Sequence, residues 1–295
     1  MTTRKRVMAA LFVALGAATC SITPRLFAQS PTARERLAAI ELDSMLKSVG
    51  PPFQRFTSRH FELYAERAGP TATRMLDSLE EALTHAYAFL GAPLNDPATI
   101  TVFATASRTR FPLLLSPTNK GARMKRADLR DVIVLVVNDS VRSYARHEVM
   151  HVVGFRAWGG QRVHPEWMAE GLATYADGLC QGVPILSVAR DLLRQFPALT
   201  VAELTQQFRA RTDVDRAGTY VLAASLIDYL WQTRGRDGFK RLWQGTDTLT
   251  AASDARLGFL NAGTDQTRAW RAHVERAVGI GYGLNLDKLR RFGCG

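Results

Sequence analysis

In the stretch Arg146-His147-Glu148-Val149-Met150-His151, two histidines lie four residues apart and a glutamate follows the first. On an α-helix that spacing sends both imidazoles out from one face, where they can reach a single metal ion. Glu148 lies one residue further round, beside that ion rather than on it, a position suited to taking a proton from an attacking water. Two histidines leave a catalytic zinc centre one protein ligand short. Glu170 can supply it, from the stretch His164-Pro165-Glu166-Trp167-Met168-Ala169-Glu170-Gly171-Leu172-Ala173-Thr174-Tyr175-Ala176-Asp177-Gly178. The competing account is an ordinary helix with two unrelated histidines, plus a solvent-facing Glu170 followed by an accidental glycine.

The elements that must position these groups are legible around them. Val132 to Val137 is an unbroken apolar run and reads as a buried strand. Asn138-Asp139-Ser140 then offers an N-cap, and Val141 to Trp158 carries apolar residues at helical spacing. The second stretch is another helix, with Pro165 at a first helical position and Gly178 at a C-terminal cap. Gly171 is costly inside a helix, and makes sense if the second helix approaches the first closely.

The string Trp167-Met168-Ala169-Glu170-Gly171-Leu172-Ala173-Thr174-Tyr175, whose glutamate is separated from His151 by eighteen intervening residues, resembles the W-x-x-E-G-x-A-x-Y signature of gluzincin metallopeptidases. Within that clan the chain looks most like the short bacterial proteins of the peptidase MA-like family, and its ligand spacing is similar to that of aminopeptidase-N-type enzymes. The motif-level resemblance covers residues 131–178, and a looser likeness in element order runs from about 58 to 244. It implies an α+β fold with a thermolysin-like catalytic core, in which a small sheet packs on the metal-binding helices and the C-terminal part is mainly helical. It further implies one Zn2+ held by His147, His151 and Glu170, with Glu148 as general base and a peptide or protein as substrate. In gluzincins a strand near the metal pairs with the substrate backbone, which by resemblance gives Val132–Val137 that part. The strand's hydrophobicity equally suits an internal position covered on both faces.

Two departures from the pattern matter. Four residues after Glu170 stands Thr174, where thermolysin-like enzymes carry an aspartate that orients a ligand histidine; Asp177 is the available substitute. The chain also lacks the G-x-M-E-N anchor by which aminopeptidase-N-type enzymes hold a free α-amine, which favours endopeptidase action. The alternatives are a zinc-stabilised envelope protein that binds a partner without turnover, and an enzyme that hydrolyses a non-peptide ester or amide. Glu148, which a purely structural site does not need, speaks for catalysis.

At 295 residues, 22% of them charged and 46% apolar, the chain has the length and composition of a soluble protein with one substantial core. Residues 1–28 read as a secretory signal, with Arg4-Lys5-Arg6, the apolar Val7 to Ala18 and a small-residue end at Ala28. Its apolar core is too short for a stable membrane span. The expectation is therefore an exported protein, periplasmic or secreted, with an N-terminal helical segment over 29–57 and the metallopeptidase domain over 58–295. Cys20 raises a lipoprotein reading, but the preceding Ala17-Ala18-Thr19 lacks the usual leucine. Removing Arg4, Lys5, Arg6 and Arg25 with the leader lowers the net charge from +11 to +7. Only six of the 38 basic residues are lysine and no nucleic-acid module accompanies them, so no nucleic-acid partner is expected. Cys180 and Cys294 remain, and in an oxidising compartment they can form one disulfide.

Other elements follow in order. Thr32 and Glu35 form a capping-box pattern ahead of Leu37, Ile40 and Met45, and Pro51-Pro52 ends that helix. Phe61, Leu63 and Ala65 alternate with His60, Glu62 and Tyr64, predicting a half-buried strand in which His60 is structural. Pro70 to Leu90 is a helix with a leucine stripe ending at Gly91, and Ala98 to Thr105 is a strand. A loop is expected from Ala106 to about Arg130, with Lys120, Arg123, Lys125, Arg126 and Arg130 either solvated or overhanging the cleft to attract an acidic substrate. Thr200 and Glu203 repeat the capping box, and Ala217 to Arg234 reads as a helix with Gly235 after it. On that helix Tyr220 is either a core residue or an oxyanion donor. Trp270 and Val274 mark a last helix, and the glycines from Gly279 to Gly283 lack a phosphate-loop context.

Overall fold

The computed structural model describes residues 40–276 apart from 41, 48–52, 68, 96–98, 112–114, 116–120, 126–130, 138–143, 160–164, 181, 209–215 and 246–263. The leader, the capping box at Thr32, Asn138 to Ser140, His164, Cys294, the glycines from Gly279, and Lys120, Arg126 and Arg130 lie outside the described residues. Five strands, β1 (Gln54–Thr57), β2 (Phe61–Ala65), β3 (Ile100–Thr105), β4 (Gly121–Lys125) and β5 (Asp131–Val136), form a mixed sheet in the order β1-β2-β3-β5-β4. The two terminal pairs are antiparallel and the two inner pairs parallel. With the helices described below, the class is α+β with a small sheet and mainly helical content, as expected. β1 falls within the segment read as helical from sequence. Only residues 40 and 42–47 (α1) are helical there among the described residues.

β2 and β3 are parallel neighbours and need a crossover, which α2 (Pro70–Leu90) supplies. Its bounds follow from its sequence. Pro70 lacks the N–H that a first turn leaves unused, Met75, Leu76, Leu79, Leu83 and Leu90 are buried along one side, and Gly91 takes the left-handed conformation at φ 64° that ends it. Together with α3 (Ala145–Trp158) this helix covers the sheet face bearing Leu63, Val102, Ile133 and Leu135. The opposite face is covered too. Tyr64, Phe103, Val132 and Val134 pack there against Leu42 of α1, Phe53 and Phe111, with the Tyr64 and Phe103 rings stacked at 5.2 Å. β2 is therefore buried on both sides and the half-buried reading is corrected: its outward residues meet aromatic side chains from distant segments. His60 is structural as expected, its Nδ1 2.7 Å from Glu80 Oε2 and its backbone N–H donating to Glu80 Oε1.

The expected loop from Ala106 to Arg130 is also corrected, since it contains a 3-10 turn at Arg108–Arg110 and the edge strand β4. β5 is internal, with β3 on one side and β4 on the other, so its backbone groups are used within the sheet and it has no edge to offer a peptide. Chain direction reverses after β5. Asp131 at the start of β5 is paired at 2.9 Å with Arg156 near the end of α3, which sets α3 antiparallel to β5.

Beyond α3 come α4 (Glu166–Asp177), the small hairpin of β6 (Leu179–Cys180) and β7 (Val183–Pro184), α5 (Ile185–Gln195), α6 (Val201–Gln206), α7 (Arg216–Gly245) and α8 (Thr264–Arg276). Pro165 is the N-cap of α4 rather than its first residue, Gly178 is its left-handed C-cap, and Cys180 is held in a disulfide. Thr200 and Glu203 make both bonds of the capping box at α6. α7 kinks at Gly235 and resumes, because Phe239 and Trp243 are buried against Trp158 and the Trp243 indole N–H donates to the Gly159 carbonyl. α8 lies over α5 and α7. Its Trp270 indole donates to Ser225 Oγ, its His273 Nε2 meets Asp228 Oδ2, and its Arg271 guanidinium donates to the carbonyls of Leu193, Phe196 and Pro197 at the end of α5. Buried Asp228 also accepts a hydrogen bond from Tyr175 of α4. No helix among the described residues is long and apolar enough to cross a membrane.

Candidate metal centre

α3 and α4 bring His147, His151 and Glu170 together. The His147 and His151 Nε2 atoms are 3.1 Å apart, and Glu170 Oε2 lies 3.0 Å from the first and 3.4 Å from the second. Donor atoms around a tetrahedral zinc, each at about 2.0–2.1 Å, are roughly 3.3–3.4 Å from one another. The triangle therefore has the edges of such a site, and two imidazole nitrogens with one carboxylate oxygen form a donor set typical of catalytic zinc. Among the described residues this is the one group of three such side chains able to hold a metal. Side-chain exposure rises from 7% at His147 through 12% at His151 to 19% at Glu170, so the site opens towards the carboxylate.

Electrostatics favour an anionic ligand. Burial by itself raises the Glu170 carboxyl, but the opposing charge of His151 and hydrogen bonding to both imidazoles outweigh it and hold the group well below its ordinary range. Glu148 is buried on α3 directly after His147. Neighbouring positions on a helix diverge by about 100°, so its carboxylate starts from a different face than the two imidazoles.

Rings from two elements bracket His147. Tyr144 meets it edge-on at 5.9 Å, and Tyr220 of α7 lies parallel to it at 6.1 Å with Phe208 parallel behind at 5.7 Å. Tyr220 is thus half-buried, packed against the core with one side towards His147. Tyr144 and Phe208 went unnoticed in the sequence. Tyr144 stands three before His147, on the same helical side, whereas Phe208 comes from a distant segment and leaves no local signal.

Gly171 also requires correction. Its close neighbour is α7 rather than α3: a methyl there would come within 2.9 Å of Ile227 Cγ1 and 3.0 Å of the Ala223 carbonyl carbon. One helical face of α4 carries Glu170, Thr174 and Asp177. Thr174 Oγ1 is buried without a hydrogen-bond partner among the described residues. Asp177 is half-buried, and burial pushes its carboxyl up against the opposing charges of His147, Arg146 and His85. Next to it, His85 Nε2 lies 3.0 Å from the Ala176 carbonyl. Comparison with protein-family models gives no match, and neither does comparison with curated proteins.

Proposed function

We propose that this chain is an exported zinc-dependent peptidase of gluzincin type, acting as an endopeptidase on peptide or protein substrates. The observation that carries the reading is the donor triangle, with edges of 3.0, 3.1 and 3.4 Å, together with the buried Glu148 directly after His147, which no structural metal site requires. His147, His151 and Glu170 would hold one Zn2+. When bound, zinc polarises a carbonyl and lowers the pKa of a coordinated water towards about 7. Glu148 takes the proton of the attacking water as its oxygen bonds to the scissile carbonyl carbon. It then gives that proton to the amine that leaves when the C–N bond breaks. Tyr220 holds the His147 ring from the side and restricts its rotation. β4, the last strand of the sheet among the described residues and in contact with α3, is the strand to which an extended peptide would add.

The test is a digest of a quenched fluorogenic peptide library, with and without a chelator, alongside metal analysis of the purified protein. The expected result is one zinc per chain, chelator-sensitive cleavage at internal bonds, and a Glu148→Gln variant that keeps its zinc but loses about 10²–10⁴-fold in turnover. Zinc without cleavage identifies the binding protein instead. Cleavage confined to esters or non-peptide amides moves the activity to another substrate class.

A further inference from the structure

On the zinc-binding part of that reading, and independently of peptide cleavage, we infer that Phe208 is a positioning residue for the ligand His147, acting through Tyr220. Phe208 lies two residues beyond α6 and is buried. Its ring is parallel to that of Tyr220 within 4°, with centroids 5.7 Å apart, and the Tyr220 ring is parallel to the His147 imidazole within 5° at 6.1 Å. Both separations fall in the range of roughly 4.5–7 Å that offset-stacked aromatic pairs adopt. Rings from α3, from α7 and from the segment after α6 therefore share one orientation.

That orientation bears on the metal because an imidazole nitrogen offers its lone pair in the plane of its ring. With His147 Nε2 3.0 Å from Glu170 Oε2 and 3.1 Å from His151 Nε2, tilting the ring swings its lone pair away from the point that the other two donors share. Groups behind a ligand histidine act on the metal by fixing this ring orientation. Tyr144 and His151 meet the His147 ring edge-on at 5.9 and 4.8 Å, and Tyr220 lies parallel to its plane. Tyr220 is only half-buried, so its own ring needs backing, which the buried Phe208 supplies. The rest of α7 is fixed nearby. Ala223 and Ile227, three and seven residues after Tyr220 on the same helical side, lie against Gly171, directly after Glu170. One face of α7 thus meets both helices that carry donors, α3 through Tyr220 and α4 through Ala223 and Ile227.

A phenylalanine that only fills the core predicts lost stability with no change in metal affinity. Competition for zinc against a chromophoric chelator, alongside thermal unfolding of the zinc-free protein, separates the two. Phe208→Leu keeps an apolar side chain but removes the ring, and is expected to weaken zinc binding about three- to tenfold, the size of one lost aromatic pair. Phe208→Met, which fills more of the vacated space, is expected to show the same loss and decides the matter if the leucine variant does not fold. Tyr220→Phe retains the stack and is expected to bind zinc as the wild type does, whereas Tyr220→Leu is expected to lose at least as much as Phe208→Leu. Adding Phe208→Leu to Tyr220→Leu is expected to weaken zinc binding no further, since the first acts only through the second. Phe53→Leu, in the core on the opposite face of the sheet, controls for general loosening and is expected to leave zinc affinity unchanged. Unchanged affinity in the folded Phe208 variants, an equal loss in Phe53→Leu, or additive losses in the double variant overturns the inference and leaves the zinc centre in place. A wild type that binds no zinc removes the zinc centre and the inference with it.

Discussion

Replacing Gly171 with alanine adds one methyl group at the position directly after Glu170, where α4 meets α7. The methyl would lie 2.9 Å from Ile227 Cγ1, 3.0 Å from the Ala223 carbonyl carbon and 3.1 Å from the Ala223 oxygen. Ile227 can change rotamer, but the Ala223 atoms are backbone within α7 and cannot. Relaxing that contact to about 3.5 Å requires α4 to move by roughly 0.5 Å, the tolerance within which a preorganised site must be held. Alanine is the better helix former by about 1 kcal/mol, and overpacking costs about 1–3 kcal/mol. The net expectation is a protein 0 to about 2 kcal/mol less stable. Zinc affinity is expected to fall about tenfold, because Glu170 is carried on the displaced turn while His147 and His151 stay on α3. Urea denaturation of the zinc-free protein and competition against a chromophoric zinc chelator measure the two effects separately. A variant that is about 1 kcal/mol more stable, with zinc affinity unchanged, would show that helix propensity governs this position and that the close approach does not set the site.

Other outcomes follow from the same geometry. Saturating zinc at a hundred times its Kd is expected to stabilise the wild type by about 2.7 kcal/mol, a shift that His147→Ala and Glu170→Ala abolish; an equal shift in those variants places the metal elsewhere. Asp131→Asn removes the buried carboxylate charge that meets the half-buried Arg156 at 2.9 Å and is expected to cost about 1–3 kcal/mol in a denaturation experiment, against which a loss below about 0.5 kcal/mol would count. Partial burial alone raises the Glu80 carboxyl, but hydrogen bonds from Ser58 and from the His60 ring and backbone outweigh it and hold the group below its ordinary value. That contribution is complete above the unfolded pKa of about 4.3 and is lost as pH falls through the lower folded value. Glu80→Gln is accordingly expected to be less stable at neutral pH and to show a shallower decline on acidification below about pH 4, and parallel stability curves for the two proteins contradict this.

The candidate site was legible in the sequence because its parts are local. His147, Glu148 and His151 share one helix, Glu170 follows on the next, and helical periodicity outlines both, with Gly178 capping the second; the first starts at Ala145 with Tyr144 as its N-cap rather than at Val141 after Asn138–Ser140. α2 was legible for the same reason, with Pro70 and Gly91 marking its ends. β4 was not. Its sequence, Gly-Ala-Arg-Met-Lys, has no β-branched residue, and it becomes a strand only through its ladder to β5. Burial of Tyr64 depends on Phe53 and Phe111, neither of which its own alternation reveals. Gly235 marked the end of a helix correctly as a backbone event, φ 69°, but the chain resumes beyond it since Phe239 and Trp243 have a place to go against Trp158. The partner of Gly171 was misassigned because a glycine announces a close neighbour without saying which one.

The attachment of α8 bears on how the molecule comes into being. Asp228 is shared between His273 on that last helix and Tyr175, five residues beyond Glu170, while Arg271 gathers three otherwise exposed carbonyls at the end of α5. Until residues 264–276 have left the ribosome, the slot for Trp270 gapes and an interior acid lacks its imidazole. A nascent chain that has already made both histidine-bearing turns still has an unfinished interior, and a premature stop ahead of α8 is expected to yield a protease-sensitive fragment instead of a shorter folded protein.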